Sequence, residues 1–109
     1  METVTAVIVT FNRLADLKIC LDSLRNQTRR PDAMLVVNNG STDGTTEWLA
    51  TQTDLTVINQ ANLGGAGGFA TGIDGAFKSG ATWLWCMVDD CIAAPDALEQ
   101  LLHSPNLGP

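Results

Sequence analysis

Two adjacent carboxylates, Asp89 and Asp90, close the apolar run from Trp83 to Val88. Acids in that position can ligate a hard divalent cation through oxygen, accept hydrogen bonds from a ribose, or do no more than solvate a loop. Three other polar clusters also follow apolar runs. Thr10, Phe11, Asn12 and Arg13 come first, then Asn38 to Asp43, then Gln60 to Gly65. Within the last of these, Gly65, Gly67 and Ala70 fit the spacing G-x-G-x-x-A. In that pattern glycines let a helix start approach a phosphate-bearing ligand.

The elements that would position these clusters follow from periodicity. Thr5 to Phe11 is a β-branched run that reads as a strand buried on both faces. Asn12 is placed as the N-cap of a helix whose stripe is Leu14, Leu17, Leu21 and Leu24. Ala33–Val37, Leu55–Asn59 and Thr82–Val88 read as further strands. Thr45–Ala50 reads as a short helix. Ile73, Ala76 and Phe77 mark the apolar face of a helix after the glycine-rich loop. A last helix, Ala94–His103, is placed with Pro95 and Asp96 at its start. Strands alternating with helices at this spacing predict a parallel sheet with helices on both faces, an α/β three-layer sandwich. In such sheets ligands bind beyond the carboxyl ends of the strands, and all four polar clusters fall on that edge.

The chain has 109 residues, enough for one small domain. Twelve acids against six bases give a net charge of −6, which speaks against a nucleic-acid binder. No segment has the length of a membrane span, and no signal peptide is recognisable at the N-terminus. Cys20, Cys86 and Cys91 form no CxxC pair and are expected as free thiols, consistent with a cytoplasmic protein. Cys20 is expected in the core.

One alternative is a dinucleotide-binding Rossmann domain, with Asp89 as the ribose acid. Against it, two βα units precede the glycine loop, whereas the fingerprint normally follows the first strand.

Taken in order, VIVTFNR, LVVNNGSTDGT, NLGGAGGFATG and WLWCMVDDC resemble the start of family 2 inverting glycosyltransferases of the GT-A fold. The form NLGGAGGF is most similar to the galactofuranosyl- and rhamnosyltransferase branch. The resemblance implies a sheet of order 3-2-1-4 and a domain over 1–103, followed by a tail at 104–109. It also implies a UDP- or dTDP-sugar as partner. Thr10, Phe11, Asn12 and Arg13 would hold its base and diphosphate. Asn38 stands where the family has an acid reading the pyrimidine edge. Asn62 and Gly65 would lie by the ribose and donor sugar, with Asp89 on the ribose. Asp90 would hold a divalent cation, Mn or Mg. Val88 stands where this branch has its first acid, so the cation site is expected to be weakened. No residue after Asp96 matches the region that carries the family's catalytic base, and neither Glu99 nor His103 is marked as one. The expectation is therefore a donor-binding half, inactive alone, which self-associates or is completed by a partner chain. A non-enzymatic nucleotide-binding remnant is the other outcome.

Overall fold

The computed structural model describes residues 2–103. The expected tail at 104–109 lies outside the described residues. Four strands, β1 (Val4–Thr10), β2 (Ala33–Asn39), β3 (Thr56–Gln60) and β4 (Trp83–Val88), pair in the order β3-β2-β1-β4. Every pairing is parallel, with Val7 opposite Leu35 on one side and Cys86 on the other. Helices α1 (Leu14–Arg25), α2 (Thr45–Leu49), α3 (Gly64–Lys78) and α4 (Ala97–Leu102) fill the connections. This is the α/β sandwich and strand order expected from the sequence.

β1 is central and buried along its whole length, so its side chains must be apolar on both faces. Ala6 and Ile8 point to one layer, where they meet Leu17, Cys20, Leu21 and Leu24 of α1 and Leu49 of α2. Val7 and Val9 point to the other, beneath α3. Each fully buried leucine of α1 contributes about 1.5–3 kcal/mol of transfer free energy. Cys20 is fully buried, and burial pushes its thiol pKa up to about 12, so it is a core residue and not a nucleophile.

α3 presents a different face to the sheet than periodicity indicates. Ile73 and Phe77 are exposed, and the buried residues are Gly68, Gly72 and Ala76. A Cβ on Gly68 would sit 2.6 Å from Val9 Cγ1, and one on Gly72 would sit 2.5 Å from Val7 Cγ1. The helix axis therefore rides directly on β1, closer than any larger side chain permits.

The last helix begins later than Pro95 suggests. Gln27, buried at the end of α1, donates from Nε2 to the Ala94 carbonyl at 2.6 Å and accepts from the Leu98 N–H at 3.0 Å. Thr28 N–H donates to the Pro95 carbonyl at 2.8 Å. These bonds tie the segment after β4 back along α1, and helical geometry starts only at Ala97. β4 is left as a sheet edge with Trp83, Leu84 and Trp85 half-buried.

Candidate functional site

Beyond the carboxyl ends of β1 and β4, and against the start of α3, lies a cavity of about 500 Å³. Its walls include Thr10, Phe11, Arg13, Asn62, Gly65, Asp89 and Asp90, which the sequence nominates, with Val88 beside them. Val9, Asn39, Gly64 and Phe69 complete it. Asn12 and Asn38 do not line it.

β1 and β4 place the acids. Val9 pairs with Val88 in the sheet, so Thr10 and Asp89 are the next residues along, side by side. Thr10 Oγ1 donates to Asp89 Oδ2 at 2.9 Å, and both groups are buried. The hydroxyl fixes the carboxylate and leaves its other oxygen as an acceptor. Asp90 is half-exposed and faces Arg13 Nη1 at 3.6 Å across the cavity. Among the residues lining the cavity, Arg13 alone is cationic.

The start of α3 is organised by Asn39, which sequence reading passed over in favour of Asn38. Asn39 Nδ2 donates to Asn62 Oδ1 at 3.1 Å and to the Gly64 carbonyl at 2.9 Å. Its Oδ1 accepts from Gln60 Nε2 and from the Leu63 N–H, both at 3.1 Å. All four hydrogen-bonding positions of the amide are used, at 2% exposure. Strand alternation supplies the missed signal: neighbouring strand residues face opposite layers, and only Asn39 faces the glycine-rich loop. Gly64 has φ +77, and a Cβ on Gly64 or Gly65 would meet nothing within 4 Å, so both border open space. At the start of α3 the Gly64 N–H donates to Asn62 Oδ1 at 2.9 Å, and the N–H groups that follow it in the first turn form the positive end of the helix dipole.

Asn38 lies on the opposite face. Its Nδ2 donates to Thr46 Oγ1 at 2.7 Å and to Asn59 Oδ1 at 2.9 Å, and its Oδ1 accepts from the Ser41 N–H at 3.4 Å. Asn12 is not the cap expected for α1. It sits at φ 50, and its Oδ1 accepts from the Thr42 N–H at 2.6 Å. Asp43 caps instead: Oδ2 accepts from the Leu14 N–H at 3.2 Å, while Oδ1 accepts from the Thr45 N–H and hydroxyl. The Thr45 hydroxyl, followed by these backbone N–H groups, holds the Asp43 carboxyl below the usual aspartate pKa. The loop after β2 thus braces the loop after β1 without itself entering the cavity.

The donor chemistry bears on metal binding. Among the described residues no group of three His, Cys, Asp or Glu side chains converges on one point. One or two carboxylates suffice when a diphosphate supplies the remaining oxygens. Asp90 fits that role, and Val88, 51% exposed on the same wall, does not.

Residues 5–104 match the sequence model of glycosyl transferase family 2. The chain belongs to that family. Galactofuranosyltransferase GlfT1 of Mycobacterium tuberculosis is 45% identical over 93 residues, covering 82% of this chain and 31% of that protein. GlfT1 of Mycolicibacterium smegmatis is 40% identical over 91 residues, again 82% of this chain and 30% of the relative. The chain thus spans about a third of the length of these relatives. Among solved structures, TarS residues 1–349 of S. aureus in complex with UDP superposes with a TM-score of 0.77 at 19% identity, covering 91% of this chain and 30% of that one. The mannosyltransferase PcManGT of Pyrobaculum calidifontis, in complex with GDP-Man and Mn²⁺, gives 0.65 at 24%, covering 96% and 33%. Both show the same GT-A-like fold. Family membership, with the first βα loop in the cavity wall, removes the dinucleotide-binding alternative.

Proposed function

We propose that this chain forms the donor-binding part of a nucleotide-sugar glycosyltransferase that takes a UDP- or dTDP-sugar. The observation that carries the reading is the single cavity uniting Arg13, the start of α3 and the Asp89–Asp90 pair. Arg13 and the first-turn N–H groups of α3 that follow Gly64 meet the diphosphate. Asp89, steadied by Thr10, offers its free oxygen to a ribose hydroxyl, with Asn62 alongside. Phe11, 44% exposed on the wall, gives the base an aromatic face. Asn38, committed to Thr46, Asn59 and Ser41, is left out of base recognition in this reading. Asp90 would hold a divalent cation, which supplies charge neutralisation on the departing diphosphate.

Similarity to the GlfT1 proteins favours a galactofuranosyl donor, transferred to a glycan or lipid-linked acceptor. Transfer also needs a base beside the acceptor hydroxyl. Glu99 accepts from the Thr28 hydroxyl at 2.9 Å, away from the cavity. The isolated chain is therefore expected to bind donor without transferring sugar. No helix of the described residues is long and apolar enough to cross a membrane, and the three free cysteines fit a cytoplasmic setting.

Calorimetry with UDP, dTDP, GDP and NAD, with and without Mn²⁺, tests the reading. The expected order is UDP or dTDP first, with Mn²⁺ tightening both. Binding of NAD alone, or of no nucleotide, would overturn it.

A further inference from the structure

Arg13 and Asp90 hold opposite charges 3.6 Å apart, on different loops, with side chains 55% and 54% exposed. Each is also the residue best placed for a different part of the ligand. Arg13 is the one cation lining the cavity, and Asp90 is the acid left free by the Thr10–Asp89 hydrogen bond. A guanidinium engaged with a carboxylate has fewer donors free for phosphate, and the carboxylate has less charge to offer a cation.

We propose that the Arg13–Asp90 pair is an exchangeable latch that couples diphosphate and cation binding. This rests on the donor-binding reading above. In the unliganded chain the two residues neutralise each other and bridge the β1 and β4 loops. A cation taken up by Asp90 releases Arg13 to the diphosphate, and a diphosphate taken up by Arg13 releases Asp90 to the cation. Each ligand breaks the same pair, and the second to arrive does not break it again. The coupling is reciprocal: Mn²⁺ tightens UDP by the factor by which UDP tightens Mn²⁺. Part of the apparent metal requirement then reflects release of Arg13, separate from direct contact between metal and phosphate.

The device makes an unusual demand. Removing the proposed metal ligand should improve nucleotide binding when no metal is present. An exposed ion pair of this kind is worth about two- to five-fold in an equilibrium constant. The test is an NMR titration of UDP in EDTA, which reads millimolar affinities, on wild type, D90N, R13Q and R13Q/D90N. Thermal melts verify that each variant is folded. D90N is expected to lower the metal-free Kd for UDP about two- to five-fold and to abolish the Mn²⁺ effect. In the R13Q background the D90N change should have no effect, because no latch remains to open. A gain that persists in R13Q would reduce the effect to simple loss of a negative charge and overturn the latch. Wild type binding UDP with D90N no tighter would overturn the latch alone. No UDP binding by wild type would overturn the latch and the donor-binding reading together.

Discussion

Replacing Gly72 by alanine should destabilise the protein, although alanine is the better helix former. In an open helix position Gly→Ala gains about 1 kcal/mol. Here the new methyl would lie 2.5 Å from Val7 Cγ1 and 3.1 Å from Val37 Cγ2. Both valines are fully buried in central strands, so neither can move aside freely. Relief requires α3 to lift by about 1 Å, and overpacking of this kind costs about 1–3 kcal/mol. The net expectation is a loss of about 1 kcal/mol. Gly75, on the same helix, is the control. Its Cβ would stand 3.4 Å from Leu35 Cδ1 and 3.5 Å from Ile58 Cδ1, ordinary contact distances. Gly75→Ala should therefore stabilise by about 0.5–1 kcal/mol. The two variants should differ by about 2 kcal/mol, at about 4–8 °C of melting temperature per kcal/mol. Urea unfolding monitored by tryptophan fluorescence measures both. Gly72→Ala should also weaken UDP binding, since lifting α3 displaces Gly64 and Gly65 from the cavity wall. A Gly72→Ala protein as stable as Gly75→Ala would refute the close-packing account.

Asn39→Asp keeps an oxygen to accept from Gln60 and Leu63 but loses the donors to Asn62 and Gly64; urea unfolding should show a loss of about 1–3 kcal/mol. Asp43 has a folded-state pKa below its ordinary 3.8, so its stabilising contribution is complete above that value and is withdrawn as pH falls below it. Asp43→Asn should flatten the acid limb of a stability–pH curve below the ordinary aspartate pKa of 3.8; an unchanged limb would contradict the capping role. Val88→Asp restores a third acid beside Asp89 and Asp90 and should enhance Mn²⁺-dependent UDP binding about ten-fold or more, read by calorimetry. No change would show that Val88 does not face the cation.

The strands and the binding edge were legible because their signals are local. TAVIVT reads as a strand buried on both faces, as found, although Phe11 leaves the strand and turns to the cavity, and each polar cluster follows such a run. Four features were not legible, each for a physical reason. Periodicity assumes that apolar side chains make the contact, so it assigned Ile73 and Phe77 to the core, where Gly68 and Gly72 pack instead. Asn12 has the composition of a helix cap, but the cap comes from Asp43, 29 positions away from the Leu14 N–H it accepts. Motif resemblance points to Asn38, whereas the direction in which each side chain points depends on strand alternation and on which layer α3 covers. Pro95 likewise signalled a helix start that the bonds from Gln27 and Thr28 delay to Ala97.

The central claim is that a nucleoside diphosphate binds in the cavity between β1, β4 and α3. Backbone amide shifts followed by NMR during UDP titration test it residue by residue. The account predicts that Thr10, Phe11, Arg13, Gly64, Gly65, Asp89 and Asp90 shift together along one saturating curve. The small apolar hollow formed by Trp83, Trp85, Leu98 and Leu101 should stay silent. Shifts confined to that hollow, or none at millimolar UDP, would contradict it.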